Sequence, residues 1–579
     1  MRGPGAETHY RQLGAILIVS FLLRISGNLY DMPYRFHPDE HHFLDRAVMM
    51  IGEGTLNPGY FKNPPLYTYA ILLGLYAIFG VEYVVGGVKT PSWTVAHAIA
   101  RGLSAFAGTM TCLLLFLIGR RFGGGLAGVL AALFSAVAYL SVRDAHFAVN
   151  DVAMVCLVTL AFHFAARLLD EGRTRDLIWG GLVAGLAAAT KYNGGIAFLP
   201  LLVACALTRP EGEGVMGPRK VAGIGLKWMI LLGLGLAGFL LGNPYAVLDS
   251  AAFLSHFRSQ YGLRDTMWEG QKPLPVTLLE LEALVVELGW PLLLLFPLAA
   301  GYCLAQGGRR ARAALLALSI VLPLIVFHAL QPLFFARFLL ICTPFVALTC
   351  AWGIVAFREV SPAPWMRRPV ILGGALVLLV ASPLARSLYL DLILQKSDTR
   401  ILAKEYLDRM VSPGSTIVLQ KPSMFAPPVD RRRHRLLSLR SDPSLLHPTQ
   451  TPADLYLFNS FEVGHVSGIL EADERALMAA LDGQGFTRVT FSPLRDGGDL
   501  PFEADQVYLP YRHLFRYLRP GPTIYLYARP GIPVPLFPER PPRSEGFGGA
   551  VAFAGEGRLP PEEGVSGKLC PILELSWRR

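Results

Sequence analysis

Between residues 37 and 66 the chain concentrates groups able to do chemistry. It reads His37-Pro38-Asp39-Glu40-His41-His42, then Tyr60-Phe61-Lys62-Asn63-Pro64-Pro65-Leu66. An adjacent acidic pair offers a general base, and a lysine offers a counter-charge for an anion. As a solvated loop the pair would need no function. Three histidines, a lysine and a Pro-Pro step describe a stiff polar platform instead. His37, His41 and His42 could hold a divalent metal with Asp39, but the spacing matches no recognised ligand set, and ordinary surface histidines account for it.

What positions this platform follows from composition. Hydrophobic residues make up 53% of 579 and charged residues only 17%, against about 45–50% apolar in soluble domains. Mean hydropathy is +0.41. Runs of spanning length recur, so the chain reads as an α-helical polytopic membrane protein. The first run, Leu13 to Leu23, follows Arg2 and Arg11 and lacks a small-residue cleavage site, which predicts an uncleaved first span. The net charge of +10 fits basic inner loops and argues for no nucleic-acid partner. Six of the seven cysteines lie in apolar runs, where cysteine behaves as a small hydrophobe; Cys570 stands apart. No disulfide framework or CxxC metal spacing is present.

Apolar segments fall at about 12–30, 66–86, 95–118, 124–142, 148–168, 177–190, 194–207, 221–242, 283–305, 313–330, 333–356 and 369–388. The second decides the topology. If 66–86 crosses, fourteen Lys and Arg in the later short loops fall outside, among them Arg120, Arg121, Arg309, Arg310 and Arg358. If it bends along the interface, as Pro64-Pro65 and the glycines at 74, 80, 86 and 87 suit, all fourteen fall inside with Arg2 and Arg11. The positive-inside rule selects the second arrangement. It gives about eleven spans and a cytoplasmic N-terminus. The outer face then collects the Asp39 loop, Arg143-Asp144 with His146 and Asn150-Asp151, Lys191-Tyr192-Asn193, Asn243-Pro244-Tyr245, and Arg337.

After about residue 390 the composition changes. Asp398 to Met410 reads as an amphipathic helix; Thr416 to Leu419, Leu455 to Phe458, Phe486 to Phe491 and Ile524 to Tyr527 read as strands, with a helix near 472–481. The expected organisation is a transmembrane domain over 1–390, an extracytoplasmic α/β domain over 391–530, and a Pro/Gly-rich tail over 531–579.

The motifs His37-Pro38-Asp39-Glu40, Asn57-Pro58 and Pro64-Pro65-Leu66-Tyr67 resemble the first outer loop of the GT-C membrane glycosyltransferases. The similarity is to the branch of dolichyl-phosphate-mannose–protein mannosyltransferases and the lipid A aminoarabinose transferase. Further similar motifs follow in order: His146 to Val152, Ala189-Thr190-Lys191-Tyr192-Asn193-Gly194, Asn243-Pro244-Tyr245, Arg337-Phe338-Leu339 with Pro344, and Asp398-Thr399-Arg400. Some relatives carry Lys-Pro-Pro, whereas here Asn63 separates Lys62 from the prolines.

The resemblance implies a GT-C fold and an inverting transfer of a sugar from a polyprenyl-phosphate carrier to a protein, lipid or glycan hydroxyl. It implies Asp39, Glu40 and Asp151 as the catalytic group. Asp39 would be the base, lifted toward neutrality by Glu40 and desolvation. Two acids compete for the second position, Asp144 and Asp151, and the flanking pattern favours Asp151. Lys62, His146, Lys191, Tyr192, Asn243 and Arg337 would bind substrate, with Lys191 and Arg337 facing the leaving phosphate. Lys191 as a snorkelling residue and Arg337 as an interfacial anchor are the plainer readings. An integral plasma (inner) membrane location follows, with the active site extracytoplasmic. A lipid flippase or transporter would want midplane charges and paired repeats, while the acids here lie in loops at one face. A non-catalytic assembly scaffold would be indifferent to Asp39.

Overall fold

The structure is a computed structural model that describes residues 4–85, 92–208, 218–262, 275–361, 368–448, 453–462, 471–498, 500 and 504–532. Almost all of the expected tail lies outside these residues, as do Gly86, Gly87 and Cys570. Among the described residues, six helices are long and apolar enough to cross a membrane, seven if the bent pair Val276–Leu288 and Trp290–Gln306 counts as one. The chain is an integral membrane protein. Over its described residues, each expected apolar segment is mostly helical.

One of the six, Trp93–Val137, is two helices. Gly124 takes φ +75°, a conformation glycine adopts without strain. A Cβ on Gly128 would stand 2.6 Å from the carbonyl oxygen of Phe116, and one on Gly119 would stand 2.9 Å from that of Ala127. In a straight helix residues 116 and 128 lie about 18 Å apart. The chain therefore reverses at Gly124, and the glycines let the two arms touch.

The bundle has two chemically different ends. At one, Arg121 pairs with Asp170 and Glu171 at 2.8 Å each, Arg309 with Asp170 at 2.5 Å, and Arg310 with Glu359 at 2.6 Å. Arg120 reaches Tyr10 there. The first helix, Pro4–Ile25, runs from that cationic end to the opposite one, where the carbonyl of Ser26 meets His146 at 3.1 Å.

The helix Leu66–Val85 stays near this second end. Its Tyr67 hydroxyl reaches the carbonyl of Ala100 and the hydroxyl of Ser104. Gly74, about 10 Å further on, abuts Ile99 and Leu103. A helix that moves two turns while keeping the same neighbours crosses them rather than running alongside. Beyond it, Trp93 and His97 return to the first loop, under Arg35 and beside Glu40. The helix is continuous through Gly74 and Gly80.

The C-terminal domain is a five-stranded sheet, β1 Thr416–Leu419, β2 Arg435–Ser438, β3 Leu455–Asn459, β4 Thr487–Phe491 and β5 Ile524–Ala528, in the order β2-β1-β3-β5-β4. β1 is parallel to β2 and β3, whereas β5 is antiparallel to β3 and β4. Helices Thr399–Met410 and Glu471–Gly483 accompany it. Outside the sheet, Leu494, Tyr508, Tyr511, Leu514 and Tyr517 are buried in the same core as the helical bundle.

Candidate active site

Asp39 lies where the first loop enters a single 3-10 turn, Glu40–His42. Its Oδ2 accepts from Nη1 of Arg337 at 2.7 Å. Arg337 rises from the 3-10 segment Ala336–Ile341 ahead of a buried helix, and its other arm, Nη2, donates to the Tyr508 hydroxyl at 3.1 Å. Phe335 and Tyr508 flank the guanidinium, with ring centroids 5.1 and 4.3 Å from its carbon. Burial by itself raises the Asp39 carboxyl, but Arg337 and the neighbouring His37 outweigh it and hold it well below the usual carboxylate range. The expected lift toward neutrality is overturned: Glu40 turns away, and a cation takes its place.

Glu40 instead belongs to a buried clamp. Arg101 donates to both its carboxylate oxygens at 2.7 Å and to Asp31 at 2.8 and 3.2 Å, while the Ala148 amide donates to Oε1 at 2.7 Å. This arrangement ties the first loop, the helix from Trp93 and the second loop together. Burial raises the Glu40 carboxyl and Arg101 more than offsets that, leaving it at about 2. The carboxylate is saturated with donors, so its expected catalytic part is replaced by an anchoring one.

The second acid is also paired. Asp151 opens the helix Asn150–Glu171 and is buried, with Lys191 Nζ on its Oδ1 at 2.5 Å. Lys191 lies where helix Thr174–Thr190 breaks into a 3-10 turn, with Phe338 5.8 Å beneath its ammonium. Asp144 faces Arg143 at 2.9 Å, and burial pushes its carboxyl up to about 6. Of the two competitors, Asp151 has a lysine from another helix end as its partner and Asp144 the adjacent arginine.

The other expected residues divide. The Tyr192 hydroxyl donates to the carbonyl of Phe61 at 2.6 Å, fixing the Lys62 loop to the Lys191 turn. Lys62 lies within electrostatic reach of His42. Asn243 is fully buried, and its side-chain carboxamide has no hydrogen-bond partner among the described residues; the preceding Gly242 abuts Ala189 and Leu66, beside the same turn. His146 does not join the site. Its ring is buried between the carbonyls of Val142 and Ser26, with Asp391 at 3.5 Å, and works as a brace. His37 is no surface residue either: it packs against Phe147 and Tyr508, and burial draws it down to about 4. Among the described residues no cluster of three or more His, Cys, Asp or Glu side chains could hold a metal.

Several groups escaped the sequence reading. Asp505 accepts from the Ala336 amide at 2.9 Å and lies 3.6 Å from Arg143, so with Tyr508 it brings the C-terminal domain to Arg337. Glu287 lies buried inside the bundle, where it accepts from the Ser141 amide and from the hydroxyls of Ser141 and Thr343. Buried charge is thus not confined to loops, but this carboxylate is stitched into helix ends. A lone Asp-x-x-Tyr after residue 500 carries no signal by itself.

Residues 95–246, which include Asp151, Lys191 and Asn243, match the family described as dolichyl-phosphate-mannose-protein mannosyltransferase. The chain is similar to the GT-C membrane glycosyltransferases. No curated protein sequence matches it. Among solved structures, ArnT from Cupriavidus metallidurans is 14% identical, with a TM-score of 0.47 over 90% of this chain and 98% of that one. AglB, the oligosaccharyltransferase of Archaeoglobus fulgidus, is 12% identical, with a TM-score of 0.49 over 88% and 77%. The S. cerevisiae Pmt1-Pmt2 O-mannosyltransferase complex is 17% identical over 42% and 34%, with a TM-score of 0.32.

Proposed function

We propose that this protein transfers a sugar from a polyprenyl-phosphate carrier to an acceptor hydroxyl, with inversion, at the extracytoplasmic surface. The observation that carries the reading is the pairing of Asp39 with Arg337 and of Asp151 with Lys191 at one end of the bundle. Two carboxylates and two cations are what such a reaction uses. Asp39 takes the acceptor's proton as its oxygen attacks C1. The bond from C1 to the phosphate oxygen breaks, and the lipid phosphate leaves with the electron pair. That anion is already a good leaving group, so cations serve it better than a strong acid would.

The low basicity of Asp39 fits the same sequence of events. When Arg337 shares its charge with a donor phosphate, Asp39 loses part of its counter-ion and becomes a stronger base. Lys191 makes the corresponding exchange away from Asp151. The cationic loops at the far end, with the first helix starting among them, support a cytoplasmic N-terminus and an extracytoplasmic site in a plasma (inner) membrane. On this reading residues 391–530 form an extracytoplasmic domain that contributes Tyr508 and Asp505 to the site.

Mass spectrometry of lipid that copurifies with the protein in a neutral detergent tests the donor class. A polyprenyl phosphate retained by the wild type and depleted in Lys191→Ala is the expected result. Phospholipid alone in both would remove the lipid-carrier reading.

A further inference from the structure

We propose that the C-terminal domain carries a second, separate site that binds phosphate esters, at the free edge of its sheet. The site lies beside β2, which among the described residues pairs with β1 alone. A cavity of about 280 Å³ opens there, lined by Pro422, Arg431, His434 and the strand itself from Arg435 to Ser438. That volume falls just under the lower end of small-molecule sites, about 300 Å³. It accommodates a phosphate with a small polar body.

The loop before the strand is built to present cations. Asp430 accepts from the Arg432 amide through Oδ1 at 2.8 Å, and its carbonyl accepts from the amides of Arg433 and His434 at 3.1 and 3.0 Å. Gly414 and Ser415 then fix the carbonyl of Arg433 and the amide of Arg435. This closed turn projects Arg431, Arg432 and Arg435 outward, all exposed. None of them, nor Arg433, has an ion-pair partner among the described residues. The carboxylates within reach are engaged elsewhere: Asp430 in the turn and Asp408 with Lys404. Among the described residues, these four guanidinium groups therefore form no ion pair.

His434 is the second, independent observation. It is 3% exposed, lines the cavity, and neither ring nitrogen has a hydrogen-bond partner among the described residues. A buried polar group left unpaired is costly, and such groups in native proteins usually find a partner or a ligand. Arginines on an edge strand also deter pairing with other sheets. That role, however, needs neither a cavity nor a buried unpaired ring. Planar guanidinium forks suit phosphate oxygens, and the His434 ring forms part of the wall beside them.

The proposal is independent of the transfer reaction, so it is tested by binding alone. Glucose 6-phosphate, with glucose as control, is titrated into the full chain in neutral detergent and followed by isothermal titration calorimetry. Binding of the phosphate but not of glucose is expected, weakened at least tenfold in Arg431→Gln/Arg435→Gln and in His434→Leu. Equal affinity in wild type and the arginine double variant would overturn the site, as would no binding by the wild type to either soluble ester or lipid. Nanodiscs separate the two sources of phosphate. If wild type, and not the double variant, prefers phosphatidylglycerol over phosphatidylcholine discs, the site reads a lipid headgroup; binding of the soluble ester without that preference assigns it to a soluble or glycan-borne phosphate. Both substitutions lie on the surface, away from Asp39, so the double variant should melt like wild type.

Discussion

The guanidinium of Arg337 rests on the ring of Tyr508, 4.3 Å from carbon to centroid, while its Nη2 donates to the Tyr508 hydroxyl at 3.1 Å. Those residues come from the membrane bundle and the C-terminal domain, and the pair is how the domain reaches Asp39. One edge of Arg337 is committed to Tyr508 and another to Asp39, so the tyrosine sets where the cation stands. It acts as a positioning residue. Cation–π contact is worth up to about 2 kcal/mol when desolvated. Tyr508→Phe keeps the ring and should lower turnover only several-fold, whereas Tyr508→Ala should lower it about tenfold or more. A purely structural tyrosine would leave the pH profile alone. Here Tyr508→Ala should also move the acid limb, since a displaced Arg337 no longer holds Asp39 down.

Arg337→Gln tests that coupling directly. In the wild type the Asp39 carboxyl lies below the ordinary range because Arg337 offsets burial. The pair therefore stabilises the fold above about pH 4 and loses that contribution as pH falls through the depressed pKa. Removing the cation leaves burial, which raises the carboxyl. The acid limb of turnover should shift upward by at least one pH unit, with turnover about 10²–10³ lower. A limb that does not move, measured with donor saturating, would disconnect Arg337 from Asp39.

Glu40 should behave differently from Asp39 despite its adjacency. Its carboxylate neutralises Arg101 inside the protein and receives the Ala148 amide. Glu40→Gln leaves Arg101 short of a counter-ion in a buried place, where breaking such a pair costs about 3–5 kcal/mol. Loss of thermal stability in detergent should therefore precede any change in chemistry. A variant that melts like wild type but fails to turn over would return Glu40 to the catalytic group.

Much of this was legible in the chain. Periodicity and length located the apolar helices, and charge asymmetry chose one end of the bundle for Asp39, Asp151, Lys191 and Arg337, which the structure brings to one end in two ion pairs. What spacing cannot reveal is direction. Asp39 and Glu40 are neighbours in sequence, yet one faces Arg337 and the other Arg101, because successive residues of a tight turn point apart. β2 was missed because Leu436-Leu437 is a short apolar run next to arginines. Asp505 and Tyr508 were missed because their partners lie some 170 residues earlier, a separation no local pattern records.

The orientation of the site can be read by labelling. Arg173→Cys lies in an exposed loop near the cationic end, and Gly483→Cys is exposed at the end of a helix in the C-terminal domain. With Cys570 replaced, a membrane-impermeant maleimide added to intact cells should modify position 483 and not 173; opening the cells should expose 173. Reversed labelling would put the Asp39 end in the cytoplasm, and the positive-inside assignment would be lost with it.

Asp39→Asn is the test on which the assignment of the base rests. The substitution preserves shape and removes the ability to accept a proton. General-base catalysis contributes about 10²–10⁴-fold, so turnover with defined donor and acceptor should fall by that order. Donor binding should survive, because the phosphate is held by cations, and Arg337 freed from its carboxylate should bind an anion at least as well. The alternatives part company here. A metal centre would be rescued by excess divalent ion, a flippase would lose lipid movement and not transfer, and a scaffold would be indifferent. Wild-type turnover in Asp39→Asn, at equal protein and saturating substrates, would remove Asp39 as the base and direct attention to Asp151, the buried carboxylate paired with Lys191.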